Sequence, residues 1–311
     1  MPRLSAELGG PHLWVKRDDA TGLAMGGNKA RKLEYLIAEA QQQKADIILT
    51  SGATQSNHCR QTAAAAARAG LDCELLIEHR FPDRSIEYRT GGNILLDRLL
   101  GATVLDFEAG TDLVAALDGR AAELREAGRS PYVIPLGGSS VVGAMGYRTA
   151  AVETLRQADE VGFEISEIVH ATASGGTQAG LIAGLAIRHS SVGVYGISAG
   201  APSHYLSPVV RRLAEGVLQR VGVERTVGPN AVVVDDTFVG EAYGVPTVAM
   251  REAVELVAAS EGLLLDPVYS GKAMAGLIEL VRRDRWGADD HVVFVHTGGT
   301  PALFGYRESF F

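Results

Sequence analysis

The chain has 311 residues, of which 46% are hydrophobic and 21% charged, and a net charge of −8. That is the composition of a globular protein large enough for two domains. With no basic run it excludes a sequence-independent grip on nucleic acid, and no apolar run reaches the length of a membrane span.

The N-terminal stretch lacks the apolar core of a signal peptide, so a cytoplasmic protein is expected. The first informative segment is Gly26-Gly27-Asn28-Lys29-Ala30-Arg31-Lys32-Leu33-Glu34. Of 29 basic residues only five are lysine: Lys16, Lys29, Lys32, Lys44 and Lys272. Arginine carries surface charge as well as lysine does, but it cannot lose its proton and form an imine. A lysine behind a glycine turn at a helix start is therefore a candidate for Schiff-base chemistry. Taken alone, the stretch reads equally well as a helix start with two solvated lysines.

A buried strand follows over 46–50, then Ser51-Gly52 and a helix over 55–69 closed by Gly70. The intervening loop places Thr54, Gln55, Ser56, Asn57 and His58 in succession at a helix N-terminus. Free N–H groups and the helix dipole there suit an anion such as a substrate carboxylate. A polar N-cap is the plainer reading, and the density of polar side chains weighs against it. Cys59 and Cys73 form no C-x-x-C pair, so buried free thiols are expected and no metal site.

Strands over 73–77, 103–107 and 132–135 alternate with helices over 93–100 and 112–127. The pattern resumes with helices over 144–158, 178–188, 208–221, 248–260 and 271–283, and strands over 167–171, 193–197, 231–234 and 291–295. Such alternation predicts α/β architecture, with two mainly parallel sheets flanked by helices. No linker separates the two groups, so one domain is expected to be inserted in the other: a smaller one over 40–150, and a larger one from 1–39 and 151–311.

The loop Thr172-Ala173-Ser174-Gly175-Gly176-Thr177-Gln178-Ala179-Gly180 combines glycines and hydroxyls after a strand, as a phosphate cradle does. Its spacing fits neither G-x-G-x-x-G nor a P-loop, so a single phosphate monoester suits it better than NAD or ATP. Asp266–Lys272 carries Tyr269 and Ser270, His296–Thr300 carries Thr297, and Tyr243 stands apart. Each alone reads as a core tyrosine or a strand-end turn. An imine-forming lysine, a phosphate loop and a polar aromatic wall together describe a site for pyridoxal 5′-phosphate.

These residues resemble the family of 1-aminocyclopropane-1-carboxylate deaminase and D-cysteine desulfhydrase, within the type II (tryptophan-synthase-β-like) pyridoxal-phosphate enzymes, with L-cysteate sulfo-lyases as close relatives. The resemblance runs from Trp14 to Tyr306 and is carried by 26–33, 55–60, 177–180, 266–269 and 296–299. It implies that Lys29 is the Schiff-base lysine and that Asn57 meets the cofactor's phenolic oxygen. Ser56 and its neighbours Thr54, Gln55 and His58 would hold the substrate carboxylate. Ser174, Gly175, Gly176 and Thr177 would hold the phosphate, with Lys32 as counter-charge. Tyr269 would border the ring, Tyr243 would face substrate, and Ser270 and Thr297 would lie at the ring nitrogen. Lys29, Ser56, Tyr243 and Tyr269 are then the catalytic candidates.

The cyclopropane deaminases usually carry glutamate where this chain has Ser270, which directs the expectation to β-elimination from a cysteine-like amino acid. D-Cysteine, giving pyruvate, ammonia and hydrogen sulfide, is the first substrate expected. L-Cysteate, giving sulfite, is the alternative, followed by the cyclopropane substrate; a non-catalytic cofactor-binding protein is the reading outside the class. The family also implies a homodimer. One departure is that family members usually carry more residues ahead of Gly9-Gly10, including a Pro-Thr-Pro-Leu-like segment, so the edge strand of the large domain is expected to be weak or missing.

Overall fold

Apolar runs bounded by glycine and polar turns set the strands. In the computed structural model, which describes residues 1–311 apart from the side chain of Pro229, they are β1 (His12–Lys16), β2 (Ile47–Ala53), β3 (Asp72–His79), β4 (Thr103–Glu108), β5 (Pro131–Val133), β6 (Glu167–Thr172), β7 (Gly193–Ser198), β8 (Val233–Asp235) and β9 (His291–Val295). Five form one sheet in the order β1-β9-β6-β7-β8 and four another in the order β4-β3-β2-β5. Every pairing is parallel. β6 is buried along its whole length and β2 at all but its last residue, as strands covered on both faces require.

The covering helices are α1 (Pro2–Leu8), α2 (Lys29–Gln42), α3 (Asn57–Ala69), α4 (Ile86–Thr90), α5 (Gly92–Leu99), α6 (Leu113–Glu126), α7 (Val141–Val161), α8 (Gly176–Ile187), α9 (Ser203–Arg220), α10 (Val248–Glu261), α11 (Ser270–Arg282) and α12 (Ala302–Gly305). α7, α8 and α9 pack one core against the larger sheet, and α10 and α11 pack a second core with Leu4 of α1. Leu33 and Leu36 of α2 share a third core with α3 and β3, while α6 covers the other face of the smaller sheet. α2 also packs against α7, so the helix that begins at Lys29 touches elements flanking both sheets.

Three expectations change. The edge strand is present: β1 pairs with β9 from His12↔His291 to Lys16↔Val295. The helix expected from Pro208 begins at Ser203, with Pro208 in its interior. A proline suits a first turn, but the start is set upstream by Pro202 at the cap and by the Ser203 N–H, which donates to Asp236 Oδ2 at 2.6 Å. The helix expected from Gln55 begins at Asn57, because Ser56 caps it by accepting from the Cys59 N–H at 3.1 Å.

A buried ion cluster anchors α2. Arg31 donates to both oxygens of Asp18 at 2.8 Å, and the Tyr147 hydroxyl donates to Asp18 Oδ2 at 2.5 Å. Asp18 is 1% exposed, and its removal leaves Arg31 to Glu153 alone and takes the acceptor from the buried Tyr147 hydroxyl. Asp18→Ala is expected to cost about 1–3 kcal/mol, seen as a lower midpoint in urea unfolding, because a buried hydroxyl is left without an acceptor.

Candidate active site

The carboxyl ends of the strands converge on one cleft of about 720 Å³. Gly52 and Ala53 come from the end of β2, Arg80 follows β3, Leu136 and Gly137 follow β5, Thr172 and Ser174 come from the end of β6 and beyond, and Thr297 follows β9. Ligands of open parallel sheets bind at this end.

Lys29 opens α2 on the floor of the cleft. The turn before it is left-handed through Ala24, Met25 and Gly26, and Gly27 also has positive φ. A Cβ at Gly26 would lie 1.8 Å from the Asp19 carbonyl oxygen, so only glycine fits. Three clamps fix the turn: the Gly27 N–H donates to Asp18 O at 2.9 Å, the Asn28 N–H to Thr297 O at 3.0 Å, and Arg60 Nη2 to Gly26 O at 2.7 Å.

Lys29 Nζ and Lys32 Nζ both donate to the carbonyl of Gly137, each at 3.1 Å. Lys32 also donates to Ser139 Oγ at 3.1 Å. Burial lowers Lys29 from 10.5 to about 8. Burial, then the neighbouring Lys29 charge, lowers Lys32 well below the usual lysine range. Gly137 has φ 66°, and a Cβ there would meet Ser174 Oγ at 2.4 Å and Lys29 Nζ at 3.4 Å. Any side chain would push into the space the two amines share.

Ser56, Asn57 and His58 line the cleft at the N-terminus of α3. The backbone N–H groups of Asn57 and His58 have no acceptor among the described residues, which leaves two donors for an anion. His58 is not a base. Thr50 Oγ1 donates to Ile134 O at 2.8 Å and so receives the His58 Nε2–H at 2.8 Å, while burial and the two lysines hold the ring neutral. Thr54 and Gln55 turn away from the cleft. Thr54 Oγ1 contacts His79 Nδ1 at 3.2 Å, and Gln55 Nε2 donates to Tyr88 O at 2.6 Å and Gly91 O at 3.0 Å.

On the opposite wall Ser174, Gly175 and Thr177 line the cleft at the start of α8. Gly175 has φ 81°, Gly176 lies just behind it, and the Gly176 N–H donates to Ser139 Oγ at 3.1 Å. The N–H groups of Thr177 and Gln178 have no acceptor among the described residues, and the buried Thr172 hydroxyl has no partner. Ser174 Oγ bonds Ser139 Oγ at 2.7 Å, which links this cradle to Lys32.

Tyr243 and Tyr269 form the aromatic wall, hydroxyl to hydroxyl, with rings edge to face at 5.8 Å. Burial raises both, Tyr243 to about 12, so both keep their protons. Thr297 lines the cleft and Ser270 does not: its hydroxyl donates to Asp266 Oδ1 at 2.7 Å and accepts from the Asp266 N–H at 2.8 Å.

The sequence reading missed Ser139, Arg80 and Arg212. Arg80 lies over the Tyr243 ring, 5.2 Å from its centre, and donates through Nε to Glu78 Oε2 at 2.6 Å. Arg212 reaches the cleft mouth from α9. No motif marks them; the fold alone brings them to the site. Among the described residues no carboxylate lines the cleft, no group of side chains could hold a metal, and no helix is long and apolar enough to cross a membrane.

Known proteins share this sequence and this fold. The family pattern of pyridoxal-phosphate dependent enzymes matches residues 1–298. D-cysteine desulfhydrases of Salmonella newport and Salmonella typhimurium are each 44% identical over 307 residues, covering 99% of this chain and 92% of theirs. A crystal structure described as an ACC deaminase homologue superposes with a TM-score of 0.91 at 36% identity, covering 100% of this chain and 91% of that one. The processed form of threonine deaminase isoform 2 from Solanum lycopersicum superposes at 0.65 with 18% identity, over 96% and 77% of the two chains, which shows the shared fold alone. With its two helix-flanked parallel sheets and its buried lysine, this chain belongs to the pyridoxal-phosphate dependent enzymes.

Proposed function

We propose that the protein is a D-cysteine desulfhydrase, releasing hydrogen sulfide, pyruvate and ammonia. The observation that carries this reading is the meeting, on one cleft without a carboxylate, of a buried lysine and two helix N-termini with unclaimed N–H groups. The curated relatives with that activity supply the substrate.

The residues present fit pyridoxal 5′-phosphate. Unclaimed donors at Thr177 and Gln178, the hydroxyls of Ser174 and Thr177 and the orphaned Thr172 hydroxyl suit a phosphate. Lys32 stands behind them, bonded to Ser139, and would become their counter-charge once a phosphate's own charge raised its proton affinity. Bound there, the cofactor supplies an aldehyde that bonds an amine and an electron-poor ring that stabilises a neighbouring carbanion.

Lys29 Nζ, with its lowered proton affinity, would bond the aldehyde and, once the substrate amine displaced it, would be free to take the substrate α-proton. Ser56 and the N–H groups of Asn57 and His58 would hold the substrate carboxylate, and Asn57 Nδ2 would meet the ring oxygen. Tyr269 borders the ring and Tyr243 faces substrate. Their linked hydroxyls stay protonated and donate toward the departing sulfur. Thr297 offers the ring nitrogen an uncharged partner, which suffices when the β-substituent leaves readily.

Arg80 and Arg212 favour one second reading. Two guanidiniums at the cleft suit a sulfonate, which makes L-cysteate, with release of sulfite, the alternative substrate. For the assembly we propose a homodimer, as the family resemblance implies. For the compartment we propose the cytoplasm, where the buried free thiols of Cys59 and Cys73 stay reduced. Residues 40–150, which contain the smaller sheet, are proposed as a domain inserted between 1–39 and 151–311.

Two outcomes are expected. Sulfide release from D-cysteine exceeds sulfite release from L-cysteate in a substrate panel, and Lys29→Ala loses at least about 100-fold in rate, with borohydride fixing the cofactor on Lys29 in peptide mass mapping. The second outcome concerns pH. Only the neutral amine bonds an aldehyde, and Lys29 is lowered from 10.5 to about 8. Reconstitution of apoprotein with pyridoxal 5′-phosphate, followed by stopped-flow absorbance, should therefore accelerate with rising pH and level off above about 8.

A further inference from the structure

The use of Asn57 depends on which end of its amide faces the cleft, and its neighbours decide that. Arg60 is fully buried on α3, and a guanidinium can only donate. Its Nη1 donates to Asn93 Oδ1 at 3.1 Å while its Nη2 holds Gly26 O at 2.7 Å. Asn93, also fully buried, near the start of α5, therefore turns its oxygen to Arg60 and its nitrogen the other way. That nitrogen spends both hydrogens, one on Gln55 O at 3.0 Å and one on Asn57 Oδ1 at 2.9 Å. The Asn93 backbone N–H donates to Gln55 Oε1 at 2.9 Å, so the side chain starts from a fixed point. Asn57 is left with its oxygen inward and its Nδ2 toward the cleft it lines. Turning either amide round would set two N–H groups against each other in a buried site, which costs the desolvation of both.

We infer that Asn93, locked by Arg60, is a positioning residue that keeps the Asn57 amide turned as a hydrogen-bond donor toward the cofactor's ring oxygen. The inference rests on the reading above, in which Asn57 meets that oxygen. A donor at this position stabilises the oxygen as an anion, and the bound cofactor then absorbs visible light. An acceptor there favours the protonated oxygen and moves absorption toward the near ultraviolet. The same contacts explain why Gln55 faces away from the cleft: its amide and its carbonyl are both occupied in holding Asn93.

The test compares the absorption spectra of cofactor-loaded wild type, Asn57→Ala, Asn93→Ala and the double variant. Asn57→Ala is expected to move intensity from the visible to the near ultraviolet. Asn93→Ala should move it the same way, with kcat/KM on D-cysteine lowered by about 10- to 100-fold, the range for a hydrogen bond to a charged group. The double variant should shift no further than Asn57→Ala, since Asn93 acts through Asn57. A wild-type spectrum in either single variant overturns the inference, and so does a double variant whose shift is the sum of the two. Should Asn93→Ala not fold, Asn93→Asp keeps Arg60 paired and draws the Asn57 nitrogen inward. It carries the same expected shift, and an unshifted spectrum overturns the inference equally. A wild-type protein that shows no visible band when mixed with pyridoxal 5′-phosphate sinks the functional reading itself, a separate failure.

Discussion

Two lysine amines that share one carbonyl oxygen, one buried and one on the cleft, are the constraint around which this protein is organised. Lys29 and Lys32 both reach Gly137 O, and no acid on the cleft neutralises them. The shortage of negative charge leaves burial unopposed in lowering the proton affinity of both amines. It also makes the site hungry for an anion, which the unclaimed N–H groups of α8 are placed to share. The left-handed turn ahead of Lys29, the glycine at 137 and the Asp18–Arg31 anchor all hold that pair of amines in place. Each is held by more than one contact, as a strained constellation has to be.

The balance between the two amines sets their separate uses. Lys32 bonds Ser139, whose hydroxyl also accepts from the Gly176 N–H and meets Ser174, so its amine is tied to the Ser174–Thr177 loop. Lys29 has only the Gly137 carbonyl and faces the open cleft. In the proposed function a second amine as free as Lys29 would compete for the aldehyde, and Lys32, close beneath Gly176, is not placed to do so.

Much of this was legible in the sequence where a local pattern carries the chemistry. The glycine pair before Lys29 announces the turn, and the Ser174–Thr177 hydroxyls and glycines announce the cradle. The pattern fails where consecutive residues point in different directions. Thr54 and Gln55 look like Ser56 and Asn57 in composition, yet the strand-to-helix turn sends Thr54 to His79 and Gln55 to the backbone around α4 and α5. Ser270 misleads for a similar reason: at the start of α11 its hydroxyl closes a local ring with Asp266. Arg80, Ser139 and Arg212 were illegible because they belong to segments far apart in the chain that meet only at the ends of two sheets.

The strand order has a consequence for how the chain is made. The smaller sheet uses only residues between 47 and 133, so all its strands have been synthesised when less than half of the chain has been made. The larger sheet sets β9 between β1 and β6, so its first strand waits for its last. Until translation passes residue 295, β1 lacks its only neighbour and an edge of β6 stands open. The nascent chain therefore carries a finished half beside a sticky one, and chaperone demand falls on the interval between them.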